Sequence, residues 1–325
     1  MYNIVLFKLK QQVKQKQPKL IKKQSNEHQN TKYILVKGIN GFGNMISSLN
    51  FCYHLAINTN RKLVIDWKNS IWNDEFDNYF IFNSNIYVPF TDFITQQKSN
   101  TSVYPSYFIN NLTKEIDNAI FVDIKTLTQP LSYIKSNISI IVLAFNYHCI
   151  GFQSFNLFWN NISIIPSINS IIQSKLLELG SYKAIHIRNS DQLQLDTSWI
   201  ISFLLSNKSY NIYVATDDIN MVSLCKQHHD NIFSYTTFYK SDKPMHYAYC
   251  SDIYKKNCDV IVDLYLLANS IDFVYAEKIV YTKTKKIHSS SYSILAKKIF
   301  DILHKLPERD YNYVSFKPIQ FTKFI

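Results

Sequence analysis

Arg188 stands near the end of the run SYKAIHIRNSD, residues 181–191, and of all the side chains in the chain it is the best suited to hold a phosphate or diphosphate. A guanidinium keeps its proton at working pH and presents five donors in a rigid fork, a better match to phosphate oxygens than lysine offers. The plainer role is a strand-end arginine paired with Asp191. A second candidate lies upstream in Lys37-Gly38-Ile39-Asn40-Gly41-Phe42-Gly43-Asn44, which holds three of the five glycines in the chain. A composition that avoids glycine keeps it where the backbone turns tightly or comes close to something. Strand, glycine loop and helix N-terminus together form an anion site, because free amides and the positive helix end face the loop. An ordinary strand-to-helix turn has the same pattern. Further polar groups gather at Thr216-Asp217-Asp218, at Asp259 and Asp263, one helical turn apart, and at Ser289-Ser290-Ser291-Tyr292-Ser293.

The elements that position these residues follow from periodicity. Ala184 to Ile187 is a short apolar run of the buried parallel-strand type, and it delivers His186, Arg188 and Asp191 at its carboxyl end, where open α/β sheets bind ligands. Tyr33 to Val36 reads as a first buried strand, and Asn44 as the N-cap of a helix from Met45 to Ile57 with Ile46, Leu49, Tyr53 and Ala56 at helical spacing. Arg61 to Trp67 is a second strand, whose Asp66 either caps the next loop or meets a sugar hydroxyl. From Lys68 to about Ile165 the pattern loosens, with short apolar runs at Ala119 to Val122 and Ile138 to Phe145. Trp72, Tyr79, Phe80 and Tyr147 in this region offer stacking faces for a carbohydrate, though with 15% aromatic residues each is more often core. After Pro166 strands and helices alternate. A helix from Ile168 to Leu179 ends at Gly180, and Asp196 and Thr197 cap a helix through Leu205. Asn211 to Ala215 is a strand before a helix from Ile219 to Gln227, and Ile232 to Tyr235 is another strand. Asp259 to Ala268 is a helix, Ile271 to Tyr275 a strand, and a last helix runs from the serines to about His304. Such alternation argues a parallel sheet.

Composition limits what this machinery serves. The 325 residues are 46% hydrophobic and 18% charged, as in a globular chain with a sizeable core. The net charge of +11 resembles a nucleic-acid footprint until it is located. Residues 1–32 hold eight lysines against Glu27, a charge of +7, so the other 293 residues carry only +4. The excess is a basic arm, suited to an anionic membrane surface or simply solvated, and no nucleic-acid partner is expected. Cys52, Cys149, Cys225, Cys250 and Cys258 form no CxxC pair, which points to free thiols in a reducing compartment. With no signal-peptide core and no apolar run of membrane-spanning length, a cytoplasmic location is expected.

Four stretches, in order, resemble a known family. GFGNMISSLNFCYHLAINTNRKLVIDW is similar to the N-terminal motif of the nodulation-type α-1,6-fucosyltransferases. HIRNSD resembles the His-x-Arg motif shared by the α-1,2, α-1,6 and protein O-fucosyltransferases, YVATDD their second motif, and VIVDLYLLANSIDFVYA followed by SSSYSILA their third. The resemblance spans roughly residues 33–304, without 68–165. It implies a GT-B-type α/β fold of two Rossmann-like domains facing a cleft. The arm would be 1–32, an acceptor-side domain 33–165, a nucleotide-sugar domain 166–307 and a tail 308–325. It implies an inverting, metal-independent transferase that takes GDP-fucose as donor and a glycan as acceptor, and the chain contains no Asp-x-Asp motif. Carried over, Arg188 holds the diphosphate with the help of Gly41, Gly43 and Asn44. His186 and Asp263 approach the guanine, Asp217 supports the nucleoside end, and Ser289 and Ser290 bind phosphate oxygens. Asp191 is the expected base for the acceptor hydroxyl, with Asp196 second. Two features depart from the pattern: Asn189 stands where many relatives have a second basic residue, and a lysine-rich stretch from Glu277 to Ile287 lengthens the link to the serines. A related transferase using another nucleotide sugar, or an inactive relative that binds nucleotide or glycan, therefore stays open.

Overall fold

The computed structural model describes residues 31–38, 41–97, 101–115, 137–143, 154–189, 197–239, 250–275, 278–280, 286–288 and 290–307. The chain divides into two units, Met1–Thr31 and Lys32–Ile325, and every element below belongs to the second. The strands are β1 Tyr33–Lys37, β2 Lys62–Asp66, β3 Phe80–Phe82, β4 Tyr87–Val88, β5 Val103–Tyr104, β6 Ile140–Leu143, β7 Ile162–Ile164, β8 Tyr182–Ile187, β9 Asn211–Thr216, β10 Ile232–Phe233, β11 Phe273–Tyr275, β12 Lys278–Val280 and β13 Lys286–His288. The helices are α1 Phe42–Asn58, α2 Phe90–Gln96, α3 Phe155–Trp159, α4 Pro166–Leu179, α5 Ser198–Leu205, α6 Ile219–His228, α7 Ile253–Ala268 and α8 Ser291–Leu303.

Two parallel sheets carry the fold. The first has five strands in the order β4-β2-β1-β6-β5, and the second has four in the order β10-β9-β8-β11. Their central strands are continuous apolar runs because helices cover both faces, so the alternation of a one-sided sheet is absent. Parallel pairing also sets the carboxyl ends level. Lys37 lies opposite Asp66 in the first sheet, and His186 lies between Ala215 and Tyr275 in the second. The first sheet is drawn wholly from residues before Ile165 and the second wholly from residues after it.

One apolar core nonetheless joins the two sheets. It runs without a break from Ile34, Ile46 and Trp67 through Phe158 and Ile168 to Leu264, Ile299 and Phe300. Helix α8 makes the join, since it packs on α7 beside the second sheet and on α1 beside the first. A Cβ built on Gly43 of α1 would sit 2.4 Å from the backbone carbonyl of Ser291, so only glycine lets the two helix starts meet.

Sequence expectations hold for most of this scaffold. Helix α4 begins on Pro166 and ends at Gly180, whose φ of 61° is the positive value glycine tolerates. Asp218 caps α6 by accepting from the Asn220 amide. Helix α7 starts six residues before the expected Asp259, because Asp252 accepts from the Lys255 amide and so caps an earlier turn. Thr197 precedes α5 without making a side-chain cap. Within the lysine-rich stretch β12 pairs antiparallel with β13, so the long link between β11 and α8 carries a pair of strands. Ala119 to Val122, Tyr147, Cys149 and Asp196 lie outside the described residues. Cys52, Cys225, Cys250 and Cys258 are free and buried, and among the described residues no helix is long and apolar enough to cross a membrane.

Candidate functional site

A cleft opens at the carboxyl end of the second sheet. Strand β8 supplies its floor through His186, 8% exposed, and Arg188 leaves the same strand end to line it. His186 Nδ1 lies 2.6 Å from Ser293 Oγ, and the ring centroid lies 5.1 Å from that of Tyr292. Burial pushes the imidazole pKa down to about 4, helped by the nearby Arg188 charge and opposed by Asp217. The ring is therefore neutral at physiological pH. Asn189, in the place of the second basic residue, ties two strand ends together. Its amide donates to Asp217 Oδ1 at 2.8 Å, and its Nδ2 donates to Asp218 Oδ2 at 2.8 Å.

Two helix N-termini line the same cleft as the arginine. Gly41, Phe42 and Gly43 at the start of α1 line the cleft together with Ser290, Ser291 and Tyr292 at the start of α8, the two starts meeting at Gly43. Neither helix has a side-chain cap or an acid in its first turn. Uncapped first-turn amides carry about half a positive charge per helix. Added to Arg188, they make the cleft mouth a cradle for an anion with more than one charge. Ser290 Oγ, buried and without a hydrogen-bond partner, adds a hydroxyl to this rim.

Asp263 of α7 is a further polar group of the cleft. It is 6% exposed, lines the cleft, and accepts short hydrogen bonds from Tyr213 on one oxygen and from Thr236 on the other. Burial raises its pKa to about 7 against the lowering effect of those two donors, with Asp259 adding to the rise. Asp259 itself pairs with Lys255 at 3.0 Å. Trp72 is an apolar element of the cleft; its ring lies 5.1 Å from Phe42 and 5.9 Å from Trp67.

The structure therefore brings Gly41, Gly43, His186, Arg188, Asp217, Asp263 and Ser290 to one cleft. Asp191 and Ser289 lie outside the described residues. Asn44 is corrected. The helix starts at Phe42 with Gly41 as its N-cap, and Asn44 sits inside the first turn, where its amide donates to the Gly41 carbonyl at 3.0 Å. Its Oδ1 is buried without a partner, and the residue is not part of the cleft lining. Burial of Phe42 against Trp67, Trp72 and Phe80 draws the helix start three residues earlier than the Asn cap would set it. Asp66 accepts from the Asn69 amide and side chain at 3.0 Å and pairs with Lys37, so it holds the loop. Trp72, Tyr79 and Phe80 are core residues, and of these Trp72 alone also reaches the cleft. Thr236 and Val260 also line the cleft and were not legible, since neither a lone threonine nor an apolar helix face carries a local signal. Among the described residues no three His, Cys, Asp or Glu side chains are grouped to hold a metal ion.

Mixed α/β layers with two parallel sheets and a cleft at a sheet end define the class of fold. No protein-family model and no curated protein matches the sequence. Solved structures match the fold. NodZ alpha-1,6-fucosyltransferase co-crystallized with GDP superposes with a TM-score of 0.60 at 17% identity, covering 83% of this chain and 92% of that one. Fucosyltransferase NodZ from Bradyrhizobium gives 0.59 at 18% identity over 83% and 93%. POFUT1 in complex with GDP-fucose gives 0.54 at 10% identity over 87% and 98%. At these identities the likeness establishes that the chain has the fold of these fucosyltransferases.

Proposed function

We propose that this protein is a glycosyltransferase that moves fucose from GDP-fucose to a glycan acceptor, with inversion and without a metal ion. The observation that carries the reading is the convergence of Arg188 with two uncapped helix N-termini in the same cleft as a neutral imidazole and a buried carboxylate. Departure of GDP places new negative charge on the diphosphate. A guanidinium and preorganised amides aimed at that charge lower the barrier in the role a divalent cation would otherwise fill. His186 and Asp263 face the purine, and Ser290 offers its hydroxyl to a phosphate oxygen. Asp217 supports the nucleoside end while Asn189 holds it in place. Asp191 is the proposed base for the acceptor hydroxyl, with Asp196 the second candidate.

Calorimetric titration with GDP, GDP-fucose and UDP-sugars in the presence of a chelator tests the donor site. Guanine-selective binding that weakens about tenfold or more in Arg188→Lys supports the reading, because the lysine loses the bidentate fork. Absence of any nucleotide binding overturns it.

A further inference from the structure

His186 reads a ligand with only one ring nitrogen, because the other is taken. Its Nδ1 meets Ser293 Oγ at 2.6 Å, across 107 residues of sequence, and Ser293 is 0% exposed. Among the described residues that contact is the sole hydrogen bond of the hydroxyl. If Nδ1 carried the proton, the hydroxyl hydrogen would be buried without an acceptor, which is costly. If the hydroxyl donates to an unprotonated Nδ1, both groups are satisfied and the ring proton resides on Nε2. The low pKa keeps the ring to a single proton. The Tyr292 ring beside the imidazole, anchored by its own hydroxyl donating to the Val260 carbonyl at 2.6 Å, limits rotation of the ring.

We propose that Ser293 is a positioning residue that fixes the tautomer of His186, so that Nε2–H enters the cleft as a hydrogen-bond donor. A donor there, in the same cleft as the carboxylate of Asp263, matches a purine that offers an acceptor oxygen at position 6 beside N–H donors. Guanine has that pattern, and adenine, with its N6 amino group, reverses it. The inference rests on the donor site proposed above and goes beyond it by assigning the tautomer to a residue outside the cleft lining.

Two readouts test it. The first needs no ligand: histidine-selective 15N NMR of the whole chain, with the His186 signal assigned by its loss in His186→Gln. The wild type is expected to show the Nε2–H tautomer, and Ser293→Ala a mixture with appreciable Nδ1–H. An unchanged tautomer in Ser293→Ala overturns the proposal. The second compares GDP with the diphosphate of 2-aminopurine riboside, which lacks the 6-oxygen. Ser293→Ala should weaken GDP about three- to tenfold, the worth of one hydrogen bond, and leave the 2-aminopurine nucleotide unchanged. Equal weakening of both marks a merely structural serine and overturns the proposal. Failure of the wild type to bind either nucleotide counts against the donor-site reading, and the NMR result then decides Ser293 alone.

Discussion

At the scale of single residues, the cleft is held by buried polar groups whose protonation states their surroundings choose. Asp263 is the one poised near neutrality, with a pKa of about 7. Its folded value lies above the ordinary carboxylate value, so its contribution to stability is full below about pH 4 and is lost as pH rises through 7. Ligand binding runs the other way, since a charged carboxylate is the better acceptor for purine N–H groups. With only the ionised form competent, GDP-fucose affinity should fall about tenfold between pH 8 and pH 6. GDP-fucose suits the measurement because its diphosphate has no ionisation in that range; a flat profile, or an unchanged slope in Asp263→Asn, refutes the assignment. Lys37 and Asp66 are a different case, a fully buried ion pair at the end of the first sheet that serves structure. Burial lowers the Lys37 pKa while Asp66 opposes the shift. Lys37→Met leaves Asp66 buried with only Asn69 as donor, and a loss of about 3–5 kcal/mol in urea unfolding is expected. An effect below about 1 kcal/mol would place the pair among the neutral ones. His186 and Arg188 were legible in the sequence because a strand end is a local signal. Ser293 and Lys37 were not, because their partners lie 107 and 29 residues away and only the fold brings them together.

At the scale of elements, the glycine loop shows what a sequence reading can and cannot reach. The strand and the helix after it were legible, with the helix start three residues earlier than expected, and of the tight turn or close approach expected of the glycines, close approach holds at Gly43. What approaches was not legible: the neighbour is the start of α8, nearly 250 residues later. The cap was also misplaced, since propensity favours Asn44 but the burial of Phe42 decides where the helix begins. Gly43→Ala should therefore act through helix packing, forcing α1 and α8 apart at the point where both line the cleft. Overpacking of this kind costs about 1–3 kcal/mol, and here it should be accompanied by at least tenfold weaker GDP binding. Gly180→Ala is the control. Its positive φ makes the substitution strained, but the space around it is open and it stands away from the cleft. It should lose a comparable stability and keep its nucleotide affinity. If both variants bind alike, the convergence of α1 and α8 is not what builds the anion cradle.

At the scale of the whole molecule, the question is whether two sheets make two folding units. Each sheet is drawn from one half of the chain, and the expected boundary near Pro166 falls between them. The core argues for one unit, because α8 buries its apolar face against α1 and α7 together, in the largest apolar cluster, which both halves share. Separating the halves would expose Phe42, Ile46, Leu295 and Ile299 to water, at about 25 cal/mol for each square ångström of apolar surface. The tryptophans allow a direct test: Trp67, Trp72 and Trp159 lie in the joint core, whereas Trp199 packs on the separate cluster of the second sheet. Urea unfolding followed by fluorescence in the wild type, by fluorescence in Trp199→Phe and by far-ultraviolet circular dichroism should give one coincident midpoint. GDP at a hundred times its Kd should raise the unfolding free energy by about 2.7 kcal/mol for every probe alike, since a ligand bound by both helix starts stabilises whatever unfolds with them. A midpoint for the Trp199-dependent signal that stays put while the others move with GDP would mean that the second sheet folds alone, and that the cleft is assembled by docking of two domains.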